Sequence, residues 1–336
     1  MNVKLTRGEV TRRTVSADGL SGVVCIPASN SSSAVVVLGG SDGELKIEIA
    51  ETLARQGIAA FAFAYWPVAS APLCAFPIER IEHACRWLLD QPEVLGERVG
   101  LMGQSKGAEL ALVAATQFTD LIGPVIAVAP SAVVWYGIDQ TKRPPMLAES
   151  SWSYQGIPLP YVSMSRVTPT ISDRGVALRQ TFEAGLDDHE AVRLAAIAVE
   201  LATGPLLLLS GGDDQMWPAA RMSRMLVDRM AANGRAAEIT HINYEKAGHS
   251  LTVSASTTTP DANAALGMNF DLGGADKVNA EAREDATSRI TAFFGVHLQR
   301  PIAKRLPPPS ADRSPPLGPR LPKGSVGVAR GATFGQ

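Results

Sequence analysis

The sequence predicts an α/β fold with a mostly parallel central sheet, helices on both faces and an inserted cap region. Short apolar runs alternate with stretches of helical periodicity, at 34–40, 58–65, 98–103, 124–130, 204–212 and 237–244. Their hydrophobicity is continuous and does not alternate, which is typical of strands buried on both faces of a parallel sheet. The stretch PIERIEHACRWLLDQP spaces its apolar residues by three and four, as one face of a helix does. Strand, helix and strand in this order indicate a doubly wound sheet.

Composition and charge exclude several classes of partner. Of the 336 residues, 46% are hydrophobic and 19% charged, and the net charge is -2. This balance predicts no nucleic-acid partner and no anionic membrane surface. No apolar run approaches the ~20 residues that span a bilayer, and the N-terminus lacks the apolar core of a secretory signal. We therefore expect a cytoplasmic protein that acts on a small molecule, and the sequence leaves its oligomeric state open.

The chain organisation predicted is one domain over 1–300 and a tail over 301–336. Strand and helix patterns lapse at about 131–200, where aromatic residues and prolines precede a helical stretch at about 176–200. An insertion at the strand ends is the usual place for a cap over a site. The tail holds eight prolines and six Lys or Arg residues, a composition that predicts disorder. The roughly 30 residues before the first core strand suffice for no more than a hairpin.

The pentapeptide GQSKG, residues 103–107, follows the predicted strand RVGLMG and opens the helix AELALVAATQF. A strand, a tight turn and a helix form the setting of a nucleophile elbow. Side chains in place of Gly103 and Gly107 would collide with neighbouring elements, while Ser105 would sit in strained backbone. The pattern predicts Ser105 as a nucleophile. The alternative is a serine that caps the N-terminus of the helix.

A nucleophilic serine needs a base, and the base needs an orienting carboxylate. Of the five histidines, His249 alone follows the last predicted strand in a glycine-containing loop, EKAGHS, so we expect it to be the base. Either Asp213 or Asp214, in GGDDQMWP, can be the acid, and the spacing to the following proline favours Asp214. The chain order of nucleophile, acid and base is that of α/β-hydrolases.

The oxyanion of an acyl-transfer reaction requires backbone N–H donors. We expect one donor from the amide of Lys106 and the other from Gly40 or Ser41 in the loop LGGSDGE. The side chain of Lys106 is expected to be solvated. The alternative for the loop is a plain strand-to-helix turn with Asp42 near the helix start.

Several stretches together resemble one branch of the α/β-hydrolases, the C-terminal catalytic domain of acyl-CoA thioesterases and of bile acid-CoA:amino acid N-acyltransferase. They lie between about 33 and 298 and include VVLGGSDGELKIEIAETLARQGIAAFAFAYW, GQSKGAELAL, DDQMWP and AGHS. The resemblance implies acyl transfer from a thioester through an acyl-Ser105 intermediate. Members of the family that transfer the acyl group to an amine carry cysteine at the nucleophile, so the serine here favours hydrolysis.

The sequence thus predicts a serine thioesterase acting on acyl-CoA, with an apolar acyl pocket lined by Trp135, Trp152 and Tyr161 of the cap region. The alternatives are a carboxylesterase or dienelactone-hydrolase-like esterase, an acyl-CoA:amino acid N-acyltransferase, and a non-catalytic binding protein of the same fold. The histidines are scattered, and neither a Cys/His cluster nor a phosphate or dinucleotide loop occurs. We therefore expect no metal and no cofactor besides the CoA of the substrate.

Overall fold

Eight strands form the central sheet of the computed structural model, which describes residues 9–29, 31, 33–66, 71–139, 146–252, 262–263 and 268–298. We number them in chain order as β1 Val10–Ala17, β2 Leu20–Pro27, β3 Ala34–Leu38, β4 Ala59–Phe63, β5 Val99–Gln104, β6 Ile122–Val128, β7 Leu206–Gly211 and β8 Ile239–Tyr244. Their spatial order is β1-β2-β4-β3-β5-β6-β7-β8. The six strands from β3 to β8 run parallel, and β1 and β2 add an antiparallel hairpin at one edge. The predicted mostly parallel α/β sheet is confirmed.

Helices cover both faces of this sheet, as predicted. They are α1 Ile47–Arg55, α2 Glu79–Leu89, α3 Lys106–Gln117, α4 Arg179–Gly185, α5 His189–Ala195, α6 Ala219–Ala232 and α7 Asp276–His297. Buried residues of α2, α3 and α6 form one hydrophobic cluster, and those of α1 and α7 form a second cluster. Successive residues of β3 contribute to the two clusters in turn, because neighbouring side chains of a strand point to opposite faces.

The register of the parallel strands brings their carboxyl ends to one edge. Leu38 at the end of β3 pairs with Gly103 near the end of β5, and Gln104 pairs with Val128 at the end of β6. Gly211 at the end of β7 pairs with Tyr244 at the end of β8. In open parallel sheets this edge is where ligands bind. The loops that follow these strands carry the predicted catalytic residues.

Between β6 and β7 the chain forms short strands and the helices α4 and α5. The short strands are Tyr136–Ile138, Met146–Ser150, Trp152–Tyr154, Ile157–Pro158, Thr170–Ser172 and Gly175–Ala177. The same segment ends with the 3₁₀ turn Val199–Leu201, and elsewhere lie the short strands Phe76–Pro77, Ala262–Asn263 and Met268–Asn269 and the 3₁₀ turn Ala236–Glu238.

The helical stretch predicted at 176–200 is divided in two. A new helix begins after Asp188, whose carboxylate accepts a hydrogen bond from the amide of Ala191 at 3.0 Å. None of the helices in the described ranges is long and apolar enough to cross a membrane. The disorder predicted for 301–336 concerns residues outside the described ranges.

The side chain of Lys106 is buried, which corrects the expectation that it is solvated. Its ammonium forms an ion pair with Glu109 at 2.8 Å, and the two side chains are 5% and 0% exposed. One oxygen of Glu109 also accepts hydrogen bonds from the amide of Trp135 at 3.0 Å and from the indole of Trp152 at 2.6 Å. The Trp152 ring lies 5.0 Å from the ammonium. Residues that follow β6 thus enclose the pair and exclude water from it.

Burial lowers the pKa of Lys106 and raises the pKa of Glu109, and each charge opposes the shift of the other. Removing one partner of a buried pair leaves the other charge without compensation. Through the hydrogen bonds of Glu109, the pair therefore connects the first turn of α3 to the segment that contains Trp135 and Trp152.

We predict that Glu109→Gln lowers the free energy of unfolding by about 3 kcal/mol, because it leaves the Lys106 ammonium buried and unneutralised. The matched control is Glu190→Gln, which breaks an i,i+3 pair with Arg193 that is 67% and 64% exposed. That change is expected to leave the free energy of unfolding nearly unchanged, because solvent screens the exposed pair. Denaturant unfolding of both variants checks the prediction, and equal stabilities would contradict it.

Candidate active site

Ser105 occupies a strained turn between β5 and α3. Its φ is +54° and its ψ is -121°, a conformation that non-glycine residues rarely adopt. The flanking glycines are required by close contacts: a Cβ on Gly103 would lie 2.0 Å from the carbonyl oxygen of Gly107. A Cβ on Gly107 would lie 2.1 Å from the carbonyl oxygen of Gly39. The predicted collisions and strain at the elbow are confirmed.

The alternative role for Ser105, a helix cap, finds no support in the geometry. Ser105 stands at the N-cap position of α3, but its hydroxyl accepts no hydrogen bond from the first turn. Its carbonyl accepts the amides of Ala108 and Glu109 as the first helical bonds. The hydroxyl is therefore available for chemistry at the carboxyl edge of the sheet.

Asp214 and His249 form a buried hydrogen-bonded pair. The Nδ1 atom of His249 lies 2.8 Å from Oδ2 of Asp214, and the side chains are 7% and 1% exposed. The other carboxylate oxygen accepts the backbone amides of Met216 at 2.9 Å and Trp217 at 3.1 Å. Three hydrogen bonds thus hold the carboxylate, and the bond to Nδ1 leaves Nε2 of the imidazole for proton transfer.

Asp213 has different partners. Its carboxylate accepts from the side-chain amide of Gln215 at 2.7 Å and from the backbone amide of Gly274 at 2.9 Å. Its own amide donates to Ala247 at 3.0 Å. Asp213 therefore connects the loop after β7 with the loop after β8, whereas Asp214 meets the imidazole.

The loop that carries His249 is fixed from two sides. The amide of His249 donates to the carbonyl of Leu272 at 2.7 Å, and the amide of Gly248 donates to Oδ1 of Asn279 on α7 at 2.9 Å. The hydroxyl of Thr252 donates to the side chain of Gln104, the residue before Ser105. This last contact brings the histidine loop to the serine turn.

Trp217 and Arg179 hold the acid loop, and the sequence analysis missed both. The Trp217 ring packs edge-on against the imidazole of His249, with centroids 5.9 Å apart, and its indole donates to the carbonyl of Ala129 at 3.2 Å. The guanidinium of Arg179 on α4 donates to the carbonyls of Gly212 at 3.0 Å and Asp214 at 3.3 Å. The sequence signal available was the tryptophan three residues after Asp214.

The loop after β3 lies against the serine. A Cβ on Gly40 would be 3.5 Å from the Cβ of Ser105. The amide of Gly43 donates to the carbonyl of Gly40 at 3.3 Å and closes a turn that contains Ser41. Asp42 does not cap α1, because its carboxylate accepts the amide of Glu44 and the helix begins at Ile47. The loop therefore lies beside Ser105 and against Gly107 in the first turn of α3, and the amides of Lys106 and of Gly40 or Ser41 as oxyanion donors stay a prediction.

The aromatic residues expected in the acyl pocket have separate positions. Trp135 and Trp152 are 1% and 0% exposed, and their indoles donate to Ser131 and Glu109. Within the described part of the chain both rings are almost wholly enclosed by protein atoms, so their contact with substrate stays a prediction. Tyr161 is half-buried and packs against the same core, and its place in a pocket stays a prediction.

No group of three or more His, Cys, Asp or Glu side chains that could hold an ion occurs in the part of the chain that the structure describes. The arrangement consists of a strained serine, a histidine bound to a buried carboxylate, and two backbone segments that bring amides beside the serine. These are the parts that acyl transfer requires.

Solved structures resemble this fold. An esterase from Pseudomonas putida ECU1011 matches with a TM-score of 0.52 and 16% identity, over 89% of this chain and 86% of the esterase. At this identity the match concerns the fold alone. Together with the order and direction of the strands, it shows an α/β-hydrolase fold.

Curated relatives include human acyl-coenzyme A thioesterase 1, 28% identical over 294 residues, 86% of this chain and 66% of that protein. Human mitochondrial acyl-coenzyme A thioesterase 2 is 28% identical over 268 residues, 79% of this chain and 52% of that protein. The chain therefore spans between about half and two thirds of these relatives. The family model described as BAAT / Acyl-CoA thioester hydrolase C terminal matches residues 76–300, which include Ser105, Asp214 and His249. The chain thus belongs to the family of BAAT and acyl-CoA thioester hydrolase C-terminal domains.

Proposed function

We propose that the protein hydrolyses acyl-CoA thioesters through an acyl-Ser105 intermediate. The observation that carries the proposal is a serine at φ +54° whose hydroxyl caps nothing, in a turn that Gln104 and Thr252 connect to the loop of a buried Asp214–His249 pair. A strained serine without a structural bond is typical of a nucleophile. The thioester as substrate is supported by family membership and by the names of the curated relatives.

In the first half of the reaction, Oγ of Ser105 attacks the thioester carbonyl while Nε2 of His249 accepts the hydroxyl proton. The carbonyl electrons move onto oxygen, where the amides of Lys106 and of Ser41 or Gly40 stabilise the charge. As the carbonyl re-forms, the C–S bond breaks. The imidazolium returns the proton to the departing sulfur, and CoA leaves as a thiol.

In the second half, water takes the place of CoA. Nε2 of His249 accepts a proton from the water as its oxygen attacks the acyl-serine ester, and the oxyanion forms again in the same place. Collapse breaks the bond to Oγ, which recovers its proton from the imidazolium. Asp214 keeps Nδ1 protonated throughout and stabilises the imidazolium. One water is consumed, and the products are one acid and one CoA.

We predict thiol release from a panel of acyl-CoAs by the wild type and its loss in Ser105→Ala. The loss is expected to be at least about 1,000-fold, because no other group attacks the carbonyl. Free CoA is measured with a thiol reagent, and circular dichroism shows that the variant is folded. Oxygen esters of matched chain length are assayed in parallel.

The two assays separate the alternatives. Thiol release that depends on Ser105 supports the thioesterase. Hydrolysis of oxygen esters without hydrolysis of thioesters would support the carboxylesterase alternative instead. Thiol release by Ser105→Ala at the wild-type rate would contradict the assignment of Ser105 as the nucleophile.

We predict that Asp214→Asn lowers kcat about 10³- to 10⁴-fold, because an amide no longer fixes the tautomer of His249. The matched control is Asp213→Asn, which changes a neighbouring carboxylate whose partners are Gln215 and Gly274. That control is expected to lose less than about tenfold in kcat, because the imidazole keeps its carboxylate. Steady-state kinetics of the two variants would contradict the assignment if Asp213→Asn were the more damaging change.

A further inference from the structure

Tyr65 stands behind the loop that we propose as half of the oxyanion hole. It follows β4, the neighbour of β3 in the sheet, and its side chain is buried. Its hydroxyl lies 3.4 Å from the carbonyl oxygen of Gly39 and 3.4 Å from that of Gly40. The single phenolic proton therefore faces two successive carbonyls of the loop that lies beside Ser105, and they share it.

The geometry of the peptide bond gives these contacts a consequence. In a trans peptide the C=O of one residue and the N–H of the next point in opposite directions. A carbonyl of Gly40 held on the side of Tyr65 therefore directs the amide of Ser41 away from Tyr65. The turn bond from the amide of Gly43 to the same carbonyl, at 3.3 Å, fixes the peptide further.

The hydroxyl itself is firmly placed. The Tyr65 ring packs edge-on against Phe76, with centroids 5.6 Å apart, and against Trp152 at 6.2 Å. Trp152 in turn donates to Glu109, the partner of Lys106. Burial raises the pKa of Tyr65, and the carboxylates of Asp42 and Glu109 raise it further. The phenol is therefore protonated near neutral pH and can donate a hydrogen bond.

We propose that Tyr65 is a positioning residue that orients the Gly40–Ser41 peptide, so that the Ser41 amide faces the oxyanion formed at Ser105. The inference rests on the proposed acyl transfer. Without the phenol the peptide rotates more freely, and an inward-turned carbonyl would repel the oxyanion. Because Tyr65 acts through the peptide and does not touch substrate, its removal weakens kcat and leaves KM unchanged.

The test compares the rates at which a fluorophosphonate labels Ser105, followed by intact-mass spectrometry. Loss of one direct oxyanion donor typically lowers kcat 10²- to 10³-fold. Tyr65→Phe keeps the donor amide and loses only the bond that orients it, so we expect this variant to be labelled about tenfold more slowly. The matched control is Tyr244→Phe on β8, which removes a hydroxyl that donates to the carboxylate of Asp285 on α7 at 2.8 Å. The control is expected to keep its rate within about twofold.

A double-mutant cycle separates positioning from a structural role. Ser41→Pro removes the amide and is compatible with the second position of a turn, and Ser41→Ala controls for the side chain. If Tyr65 acts through the Ser41 amide, Tyr65→Phe slows labelling less than about twofold in the Ser41→Pro background. If Tyr65 had a merely structural role, the decreases in labelling rate caused by Tyr65→Phe and by Ser41→Pro would multiply in the double variant. Labelling is run well below the melting temperature of each variant, so that loss of folded protein does not enter the rates.

The outcomes are distinct. Wild-type labelling by Tyr65→Phe, or multiplying losses in the double variant, would overturn the role of Tyr65. The probe contains neither CoA nor a thioester, so a failure of thioester hydrolysis leaves this test valid. A wild type that is not labelled at Ser105 would overturn both the nucleophile and the inference.

Discussion

The close backbone contact between the serine turn and the loop after β3 is the constraint on which the rest of the site depends. Glycine at 107 lets the start of α3 approach the carbonyl of Gly39, where a Cβ would lie 2.1 Å from that oxygen. The contact brings the first turn of α3 against the glycine loop that lies beside Ser105. It also holds the serine at positive φ, a conformation that costs about 1–3 kcal/mol and persists only where the surroundings determine it.

Those surroundings form a continuous path of packed groups from the base to the serine helix. The imidazole of His249 contacts Trp217, whose ring centroid lies 5.8 Å from that of Phe182, and Phe182 lies 4.8 Å from Trp135. The amide of Trp135 donates to Glu109 in the first turn of α3. Residues from separate parts of the chain thereby connect the Asp214–His249 pair with the helix that follows Ser105. A preorganised frame of this kind is what electrostatic stabilisation of an oxyanion requires.

The sequence predicted the parts of this frame that are local in the chain. Apolar runs gave the six parallel strands, and the serine turn followed from glycine spacing and its place between a strand and a helix. Contacts between segments that are distant in the chain could not be predicted from the sequence. The sequence predicts a solvated Lys106 side chain, because the amide and the indole that bond its partner Glu109 come 26 and 43 residues later. Tyr65 read as the end of an apolar strand, and its hydrogen bonds to the glycine loop arise only from the crossover that sets β4 beside β3.

The most direct test of the account is the detection of the acyl-serine itself. The protein is mixed with the acyl-CoA that releases thiol fastest, quenched in acid within one turnover, digested and analysed by mass spectrometry. The account predicts an acyl group on Ser105 in an amount that equals the CoA released minus the free acid formed. CoA release in excess of free acid with no acyl group on Ser105, or with the acyl group on another residue, would contradict it.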